Sequence, residues 1–266
     1  MIPIKDMIIN SISKGMTRRE AENYACQQVV LTKISKSKYY NQVIIKGGVV
    51  MFNYTHNIRR TTNDLDFDFA RYDISEQSLC NFINDLNEYD KEYVINVESI
   101  EELHQDDYHG KRMWVSIVDH ESKLRFKIDI GVHTLMMVEQ DKLVFAFTGD
   151  NETLIMTANP PEQIFAEKVY SLAKHGLLSE RFKDVFDMYY LIGNKNMDRK
   201  LIKECLDLLT MNKLYNLSSA FEVIDRVSYV FEDKRFKERL RLTKQKWLDV
   251  SDEVVLQTIL DYLYTI

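Results

Sequence analysis

The segment at residues 64–69 alternates strictly between an aspartate and an apolar residue. Because side chains of a β-strand point alternately to opposite faces, this pattern predicts a strand with three carboxylates on one face. Carboxylates two residues apart lie about 6.6–6.8 Å apart along such a strand, so a pair of them can hold one hard cation or bridge two. Mg²⁺ prefers such oxygen ligands. We therefore predict that Asp64 and Asp66 bind Mg²⁺, or Mn²⁺ in its place, and that Asp68 is solvated.

A third carboxylate, Asp129, lies on the polar face of a second alternating segment at residues 124–130. Supplied by a neighbouring strand, it would complete a two-metal clamp for phosphoryl displacement. The alternative is that these acids merely face solvent. Against it, aspartates crowded on one face repel each other and have poor strand propensity, and a bound cation would offset both costs.

Gly47-Gly48 lies between a predicted strand at residues 43–45 and a predicted short helix. Glycine permits close backbone approach, and a helix N-terminus offers N–H groups to phosphate. The pair therefore indicates a phosphate-binding turn, although an ordinary tight turn would look the same.

The elements around these residues change character at Asn159. Before it, the pattern predicts helices and short strands, including strands at residues 114–118 and 143–147 and a helix at 75–86; Thr17 and Glu20 form a capping box that starts another helix. Beyond it, helical periodicity predicts helices at residues 161–175, 179–192, 199–209, 218–230, 234–247 and 251–265. We expect an α+β fold, with a mixed-sheet domain with flanking helices at residues 1–157 and a C-terminal helical bundle at 158–266.

Bulk composition excludes several classes of protein. The chain has 266 residues, 45% of them hydrophobic, and no apolar run reaches the roughly 18–20 residues that cross a bilayer. The N-terminus lacks the features of a signal peptide, so we expect a cytoplasmic protein without membrane contact. The net charge of −6 excludes attraction of nucleic acid by the whole surface, so only a local basic patch could bind it.

Several of these segments together resemble a known superfamily. Gly47-Gly48, RTTNDLDF at residues 60–67 and KIDIG at 127–131 are similar to the motifs of the DNA polymerase β-like nucleotidyltransferases. PEQIFAEK at residues 161–168 and RFKDVFD at 181–187 are similar to the signature of the AbiEii/AbiGii family of toxin nucleotidyltransferases. The resemblance spans residues 43–191. Gly48 stands where some members have serine, so backbone N–H groups would replace a hydroxyl there.

The resemblance implies a nucleotidyltransferase that uses Mg²⁺ to move a nucleotide from an NTP to an acceptor hydroxyl, with a tRNA 3′ end as the favoured acceptor. It also implies a toxin of a toxin–antitoxin or phage-abortive system, with an antitoxin protein as partner. Asp64 and Asp66 match its metal ligands, Asp129 its third acid, and Lys168 and Asp184 its further essential positions. Two alternatives are a protein or small-molecule acceptor and a non-catalytic module that binds nucleotide or a partner.

Helical geometry singles out Lys168, which falls inside the apolar stripe of its predicted helix. A lysine there must reach solvent, pair with an acid or meet a ligand, and we expect it to contact the triphosphate. The resemblance, rather than the spacing, implies that Asp184 lies at the active site, where it would orient Lys168 or accept a proton; a solvated pair with Arg181 is the alternative. Arg181 would bind phosphate or only Asp184.

Arg60 and Thr62 precede the acidic strand and are candidates for nucleotide binding. Arg60 could bind phosphate bidentately, or it could neutralise the acids.

The most basic stretch, at residues 234–247, is a candidate RNA-binding surface on which Trp247 could stack a base. The alternative is the charged outer face of a bundle helix.

Overall fold

The computed structural model describes residues 2–89, 91–105, 108–135, 137–146, 153–211 and 214–266. The chain divides into two units. The first comprises Met1–Thr134 and Gln140–Asn159, and the second comprises Leu135–Glu139 and Pro160–Ile266.

The first unit contains helices and strands in mixed order. They are α1 (Ile4–Ser13), α2 (Arg18–Ser35), β1 (Val43–Lys46), α3 (Gly47–Thr55), β2 (Leu65–Phe69), α4 (Glu76–Tyr89), β3 (Val94–Gln105), β4 (Tyr108–Val118), β5 (Lys123–Val132), β6 (Asp141–Ala146) and β7 (Thr153–Ala158).

All seven strands belong to one sheet, in the order β3-β4-β5-β2-β1-β7-β6. Strand β1 runs parallel to β7 and β2 runs parallel to β5, while the other neighbours are antiparallel. The mixed sheet confirms the predicted fold class. The acidic strand β2 is the central strand, so its backbone is paired on both sides and its side chains stand beside those of β1 and β5.

The two faces of β2 have opposite chemistry. Leu65, Phe67 and Phe69 are fully buried. The ring of Phe82 on α4 packs against Phe67 and Phe69, with centroid distances of 6.0 and 5.1 Å. Because this apolar face fixes which way the strand is turned, the aspartates must occupy the other face.

The start of α2 follows the predicted capping box. The Glu20 N–H donates to Thr17 Oγ1 at 3.4 Å, and the Thr17 N–H donates to Glu20 Oε2 at 2.8 Å. Two backbone donors that have no partner within the helix are thereby satisfied.

The second unit is helical. Its α-helices are α5 (Pro161–His175), α6 (Phe182–Asn194), α7 (Arg199–Leu209), α8 (Ala220–Glu232), α9 (Lys234–Leu242) and α10 (Asp252–Leu263). The bounds of α5 and α7 coincide with the predicted ones. Pro161 at the first position of α5 accounts for that start, because proline has the φ angle of a helix and lacks only an N–H that would be unpaired there.

Some predicted bounds are wrong. Strand β2 begins at Leu65, one residue after Asp64, and α9 ends at Leu242 rather than at residue 247. Helix α1 and strand β7 were not predicted, because each is short and lies outside the segments with clear periodicity. Phe147, the predicted end of a strand, lies outside the described residues.

No helix in the described part of the chain is long and apolar enough to cross a membrane.

Candidate active site

A row of charged residues crosses the middle of the sheet. Lys46 on β1 is the register partner of Asp66 on β2, Asp66 is the partner of Asp129 on β5, and Asp129 is the partner of Arg112 on β4. The row continues to Glu101 on β3. Because residues in one row of a sheet are direct neighbours, the two aspartates are forced together, with a cation at each side.

The three predicted metal ligands form one cluster. Asp64, Asp66 and Asp129 each offer a carboxylate oxygen, and these oxygens lie within 4.8 Å of one another. All three residues are half-buried. Among the described residues, these are the ones whose acidic side chains could together hold a metal ion.

Asp64 is held by two hydrogen-bonding neighbours. Lys127 Nζ lies 2.8 Å from its Oδ2, and the Thr62 hydroxyl donates to its Oδ1 at 2.7 Å. Burial alone would raise the pKa of Asp64, but the contacts with Lys127 and Thr62 outweigh it and lower the pKa. Asp64 is therefore ionised at neutral pH.

Asp66 is the member of the cluster whose ionised form is least favourable. Burial, and next the neighbouring charge of Asp64, raise its pKa to about 7, although Lys46 and Lys127 act in the opposite direction. The cations of the protein thus leave part of the negative charge uncompensated. A divalent cation would supply the missing positive charge. The available ligand atoms are all carboxylate oxygens, so the residues present fit Mg²⁺ or Mn²⁺.

Asp129 is bound by arginine. Arg112 Nε and Nη2 donate to its two carboxylate oxygens, each at 2.8 Å, and Lys127 Nζ lies 3.8 Å from Oδ2. This bidentate pair raises the pKa of Arg112. It also fixes the plane of the carboxylate, so Asp129 enters the cluster in a single orientation. Its role as a metal ligand stays a prediction.

The prediction for Asp68 is wrong. Only 5% of its surface is exposed, and its Oδ1 lies 2.5 Å from Lys46 Nζ. His133 Nδ1 lies 4.0 Å from its other oxygen. Alternation alone cannot distinguish a solvated aspartate from one that holds a lysine, because the partner comes from another strand. Lys46 is accordingly a site residue without a sequence signal of its own, although it directly precedes the glycine pair.

Steric constraints explain both glycines of the turn. Gly47 has φ +65°, and a Cβ there would lie 2.8 Å from Asp66 Oδ2. A Cβ on Gly48 would lie 2.5 Å from Thr62 Oγ1 and 2.6 Å from Thr62 Cβ. The backbone therefore runs directly against the acidic strand, which only glycine permits. It also follows that a serine at position 48 would collide with Thr62.

Thr62 and Arg60 differ in their surroundings. The Thr62 hydroxyl is part of the cluster through its bond to Asp64. Arg60 is buried, with 3% of its surface exposed, at the end of the short 3-10 helix Ile58–Arg60. Nucleotide binding by either residue stays a prediction.

Lys168, in the second unit, lies in a network of acids. Only 8% of the residue is exposed, and its Nζ lies 2.5 Å from Asp184 Oδ1 and 2.8 Å from Asp187 Oδ2. An interior lysine can reach solvent, pair with an acid or contact a ligand, and in this structure Lys168 pairs with acids. Arg181 reaches the same network through its Nη1, 3.5 Å from Asp184 Oδ2. Contact of Lys168 or Arg181 with a triphosphate stays a prediction.

Asp187 was missed as a member of this network. It is fully buried, and its second oxygen accepts a hydrogen bond from Trp247 Nε1 at 3.1 Å. Trp247 is itself only 1% exposed, so the prediction that it stacks a base is wrong. The sequence shows two acids three residues apart, but the tryptophan that orients one of them lies 60 residues further along the chain.

Comparison with known proteins identifies the family. A family model described as nucleotidyl transferase AbiEii toxin, type IV toxin–antitoxin system, matches residues 29–256. The chain belongs to the AbiEii nucleotidyltransferase family. The resemblance predicted from the sequence motifs is thereby confirmed, and the protein is a nucleotidyltransferase of a toxin–antitoxin family. No curated protein matches the chain at a significant level.

Solved structures similar to this AbiEii protein have low sequence identity. The JHP933 protein of Helicobacter pylori is 12% identical, with 94% of this chain and 96% of that chain covered and a TM-score of 0.45. A Helicobacter pylori protein described as a candidate nucleotidyltransferase is 14% identical, with 94% and 98% covered and a TM-score of 0.47. An antigenic nucleotidyltransferase-like protein from Paracoccidioides brasiliensis is 14% identical, with 76% and 92% covered and a TM-score of 0.42.

The raised pKa of Asp66 gives a prediction about stability. An acid whose folded pKa of about 7 exceeds its unfolded value destabilises the metal-free fold increasingly as pH rises through that interval. We therefore expect Asp66→Asn to raise the melting temperature at pH 8 without divalent cations, by about 2–4 °C for each kcal/mol regained. The gain should shrink as pH falls to 5. Scanning calorimetry measures it, and a variant that melts at or below the wild type at pH 8 contradicts it.

The buried network around Lys168 gives a second prediction. Lys168→Ala leaves Asp187 as a buried carboxylate without its lysine, which costs about 3–5 kcal/mol. The double variant Lys168→Met with Asp187→Asn removes the lysine and the charge of the fully buried Asp187, leaves the partly exposed Asp184 to Arg181, and keeps an oxygen for Trp247, so it should regain most of this loss. Urea unfolding of the wild type and the two variants tests this. Equal free energies of unfolding for the single and double variants would show that the ion pair does not control stability.

Proposed function

We propose that the protein transfers an NMP from an NTP to an acceptor hydroxyl in a Mg²⁺-dependent reaction, and that the acceptor is the 3′ end of a tRNA. The observation that carries the metal-dependent part is the cluster of Asp64, Asp66 and Asp129 oxygens within 4.8 Å, directly beside the glycine turn. The tRNA acceptor follows from the family resemblance. Both substrates are cytoplasmic, which is where we place the reaction.

Asp64 and Asp66 would hold the metal, with Asp129 as the third ligand. Bound Mg²⁺ would neutralise phosphate oxygens and favour displacement at phosphorus. Lys127 and Thr62 keep Asp64 ionised and oriented for this task. Lys46, held by Asp68, lies beside Asp66 in the row of the sheet and limits the repulsion within the cluster.

The glycine turn would receive the phosphates. Gly47 and Gly48 bring the backbone against Asp66 and Thr62, and they form the first turn of α3. The N–H groups of that turn have no partners within the helix, and the helix dipole favours an anion there. Absence of a serine hydroxyl at position 48 leaves the backbone N–H groups as the donors.

The transfer itself forms one bond and breaks one. The acceptor oxygen bonds to the α-phosphorus of the NTP, the bond from that phosphorus to the bridging oxygen of the β-phosphate breaks, and pyrophosphate leaves. The proton of the acceptor hydroxyl passes to a carboxylate or to water.

A basic face of the second unit would bind the RNA. Lys234, Arg235 and Lys237 on α9, and Lys244 after it, are exposed. The three other cations of this stretch are engaged within the protein, among them Lys246, whose Nζ lies 2.6 Å from Asp252 Oδ2. Arg241 pairs with Glu238 at 2.8 Å, while Arg239 donates to the Leu177 carbonyl. In a protein with net charge −6, four exposed cations this close together make a local site for a phosphate backbone.

The activity of a toxin from a toxin–antitoxin family must also be inhibited in the cell that produces it. We propose an antitoxin protein as that partner, in keeping with the type IV system that the family description names.

Removal of a metal ligand tests the proposed reaction. Loss of residues that only orient metal ligands costs about 10–100-fold, so we expect Asp64→Ala and Asp66→Ala to lose more than about 100-fold in NMP transfer. The assay supplies each labelled NTP with Mg²⁺ and total cell extract. Asp225→Ala on α8 is the matched control, because this aspartate is exposed and lies outside the cluster.

The labelled species decides the acceptor. Label in tRNA that depends on Asp66 supports the proposal. If protein or small molecules carry the label instead, then that class of molecule is the acceptor and tRNA is not. Unchanged labelling by Asp66→Ala would overturn the metal-site assignment.

Charge reversal on α9 tests the RNA-binding face. We expect Lys234→Glu with Lys237→Glu to weaken tRNA binding and to reduce the slope of log K against log salt concentration by about 0.7–0.9 per lost phosphate contact. The double variant Lys14→Glu with Lys91→Glu, at two exposed lysines outside this face, makes the same change of −4 and is the control for net charge. If both variants weaken binding equally, the effect is one of total charge, and α9 is only a charged outer face of the bundle.

A further inference from the structure

Asp64 and Asp66 are supported in different ways. Asp66 lies inside β2, where backbone pairing to both β1 and β5 fixes its position. Asp64 precedes the first residue of β2, so the regular ladder of the sheet does not hold it. Some other contact must fix the backbone at Asp64 for its carboxylate to stay within the cluster.

That contact comes from Gln27 on α2. Its Nε2 donates to the Asp64 carbonyl at 2.9 Å and to the Thr62 carbonyl at 3.1 Å. Only 3% of Gln27 is exposed. One side-chain amide thus uses both of its N–H bonds on the backbone at two alternate residues of the loop. It thereby fixes the loop on either side of Asn63.

Other residues of α2 hold the same loop. Glu20 Oε1 accepts a hydrogen bond from the Thr61 hydroxyl at 2.9 Å, and Asn23 donates to Asn63 Oδ1 at 3.0 Å. Positions 20, 23 and 27 share one face of a helix. The polar face of α2 is therefore matched to the loop at residues 61–64, with Gln27 as its buried member.

We infer that Gln27 is a positioning residue for Asp64, and that α2 thereby sets the geometry of the metal site. This inference rests on the proposed metal-dependent function. Thr62 links Gln27 to the Asp64 carboxylate. The Thr62 carbonyl accepts a hydrogen bond from Gln27, and the Thr62 hydroxyl donates one to the Asp64 carboxylate. Without Gln27 the backbone at residues 62 and 64 loses the two hydrogen bonds that fix it, so the Asp64 carboxylate is held less closely in the cluster although its charge is unchanged.

The neighbouring glutamine provides a matched control. Gln28 is also buried, with 2% exposed, but among the described residues its Nε2 has no hydrogen-bond partner. Gln27→Met and Gln28→Met therefore make the same chemical change at adjacent buried positions. Only the first removes hydrogen bonds to the loop, since methionine has the length of glutamine but no N–H.

The experiment measures metal binding and turnover in the full-length protein. Loss of a residue that orients a metal ligand typically costs about 10–100-fold in affinity. For Gln27→Met we expect the Mg²⁺ concentration for half-maximal transfer to rise about 10–100-fold, while the rate at saturating Mg²⁺ falls much less. Calorimetric titration with Mn²⁺, without nucleotide, should show a similar loss of affinity. Gln28→Met should match the wild type in both measurements.

The possible outcomes separate this inference from the proposed function. If the wild type binds Mn²⁺ and Gln27→Met binds it equally well, Gln27 is only a structural residue and the inference is overturned. If Gln27→Met and Gln28→Met lose affinity equally, the effect is a general one on α2 and the inference also fails. If the wild type itself binds no Mn²⁺ and shows no dependence on Mg²⁺, the proposed function has failed.

Discussion

Repulsion between carboxylates is the constraint on which the first unit depends. The register of β2 with β5 places Asp66 beside Asp129, and the turn before β2 adds Asp64. Lys46, Lys127 and Arg112 surround this cluster, and each takes a fixed partner: Asp68, Asp64 and Asp129, respectively. Asp66 has no such ion pair among these three, and burial together with the charge of Asp64 raises its pKa to about 7 although Lys46 and Lys127 act in the opposite direction. The raised pKa of Asp66 is a local cost in stability at neutral pH, which the proposed metal ion would offset.

The surrounding elements serve to keep these charges in place. The apolar face of β2, packed on Phe82, decides which way the strand is turned. Neighbouring strands fix Asp66, while α2 fixes the loop that carries Asp64. The glycine turn then brings the backbone of Gly47 and Gly48 against Asp66 and Thr62. In the second unit the same principle recurs, since a buried lysine is held by two acids and one of these is held by a tryptophan.

Much of this could be predicted from the sequence, because the signals are local. Alternation identified β2 and β5, Pro161 and apolar periodicity identified α5, and motif spacing identified the family. What escaped prediction depends on partners distant in the chain. Asp68 is buried because Lys46 reaches it from β1, and Asp187 is oriented by Trp247. Gln27 carries no motif at all, and its importance appears only when α2 is laid beside the loop. Charged residues are the hardest to interpret, because their burial is decided by a partner rather than by periodicity.

The contact between positions 48 and 62 has a consequence for the evolution of the family. A β-carbon at position 48 and the present threonine cannot occupy the same space. The two positions are therefore epistatic: a lineage that acquires a larger residue at the turn must first shrink or displace the side chain that orients Asp64. Substitutions that are acceptable together would each be harmful alone. Such coupling would preserve Gly48 in this lineage by historical contingency, whatever the turn binds.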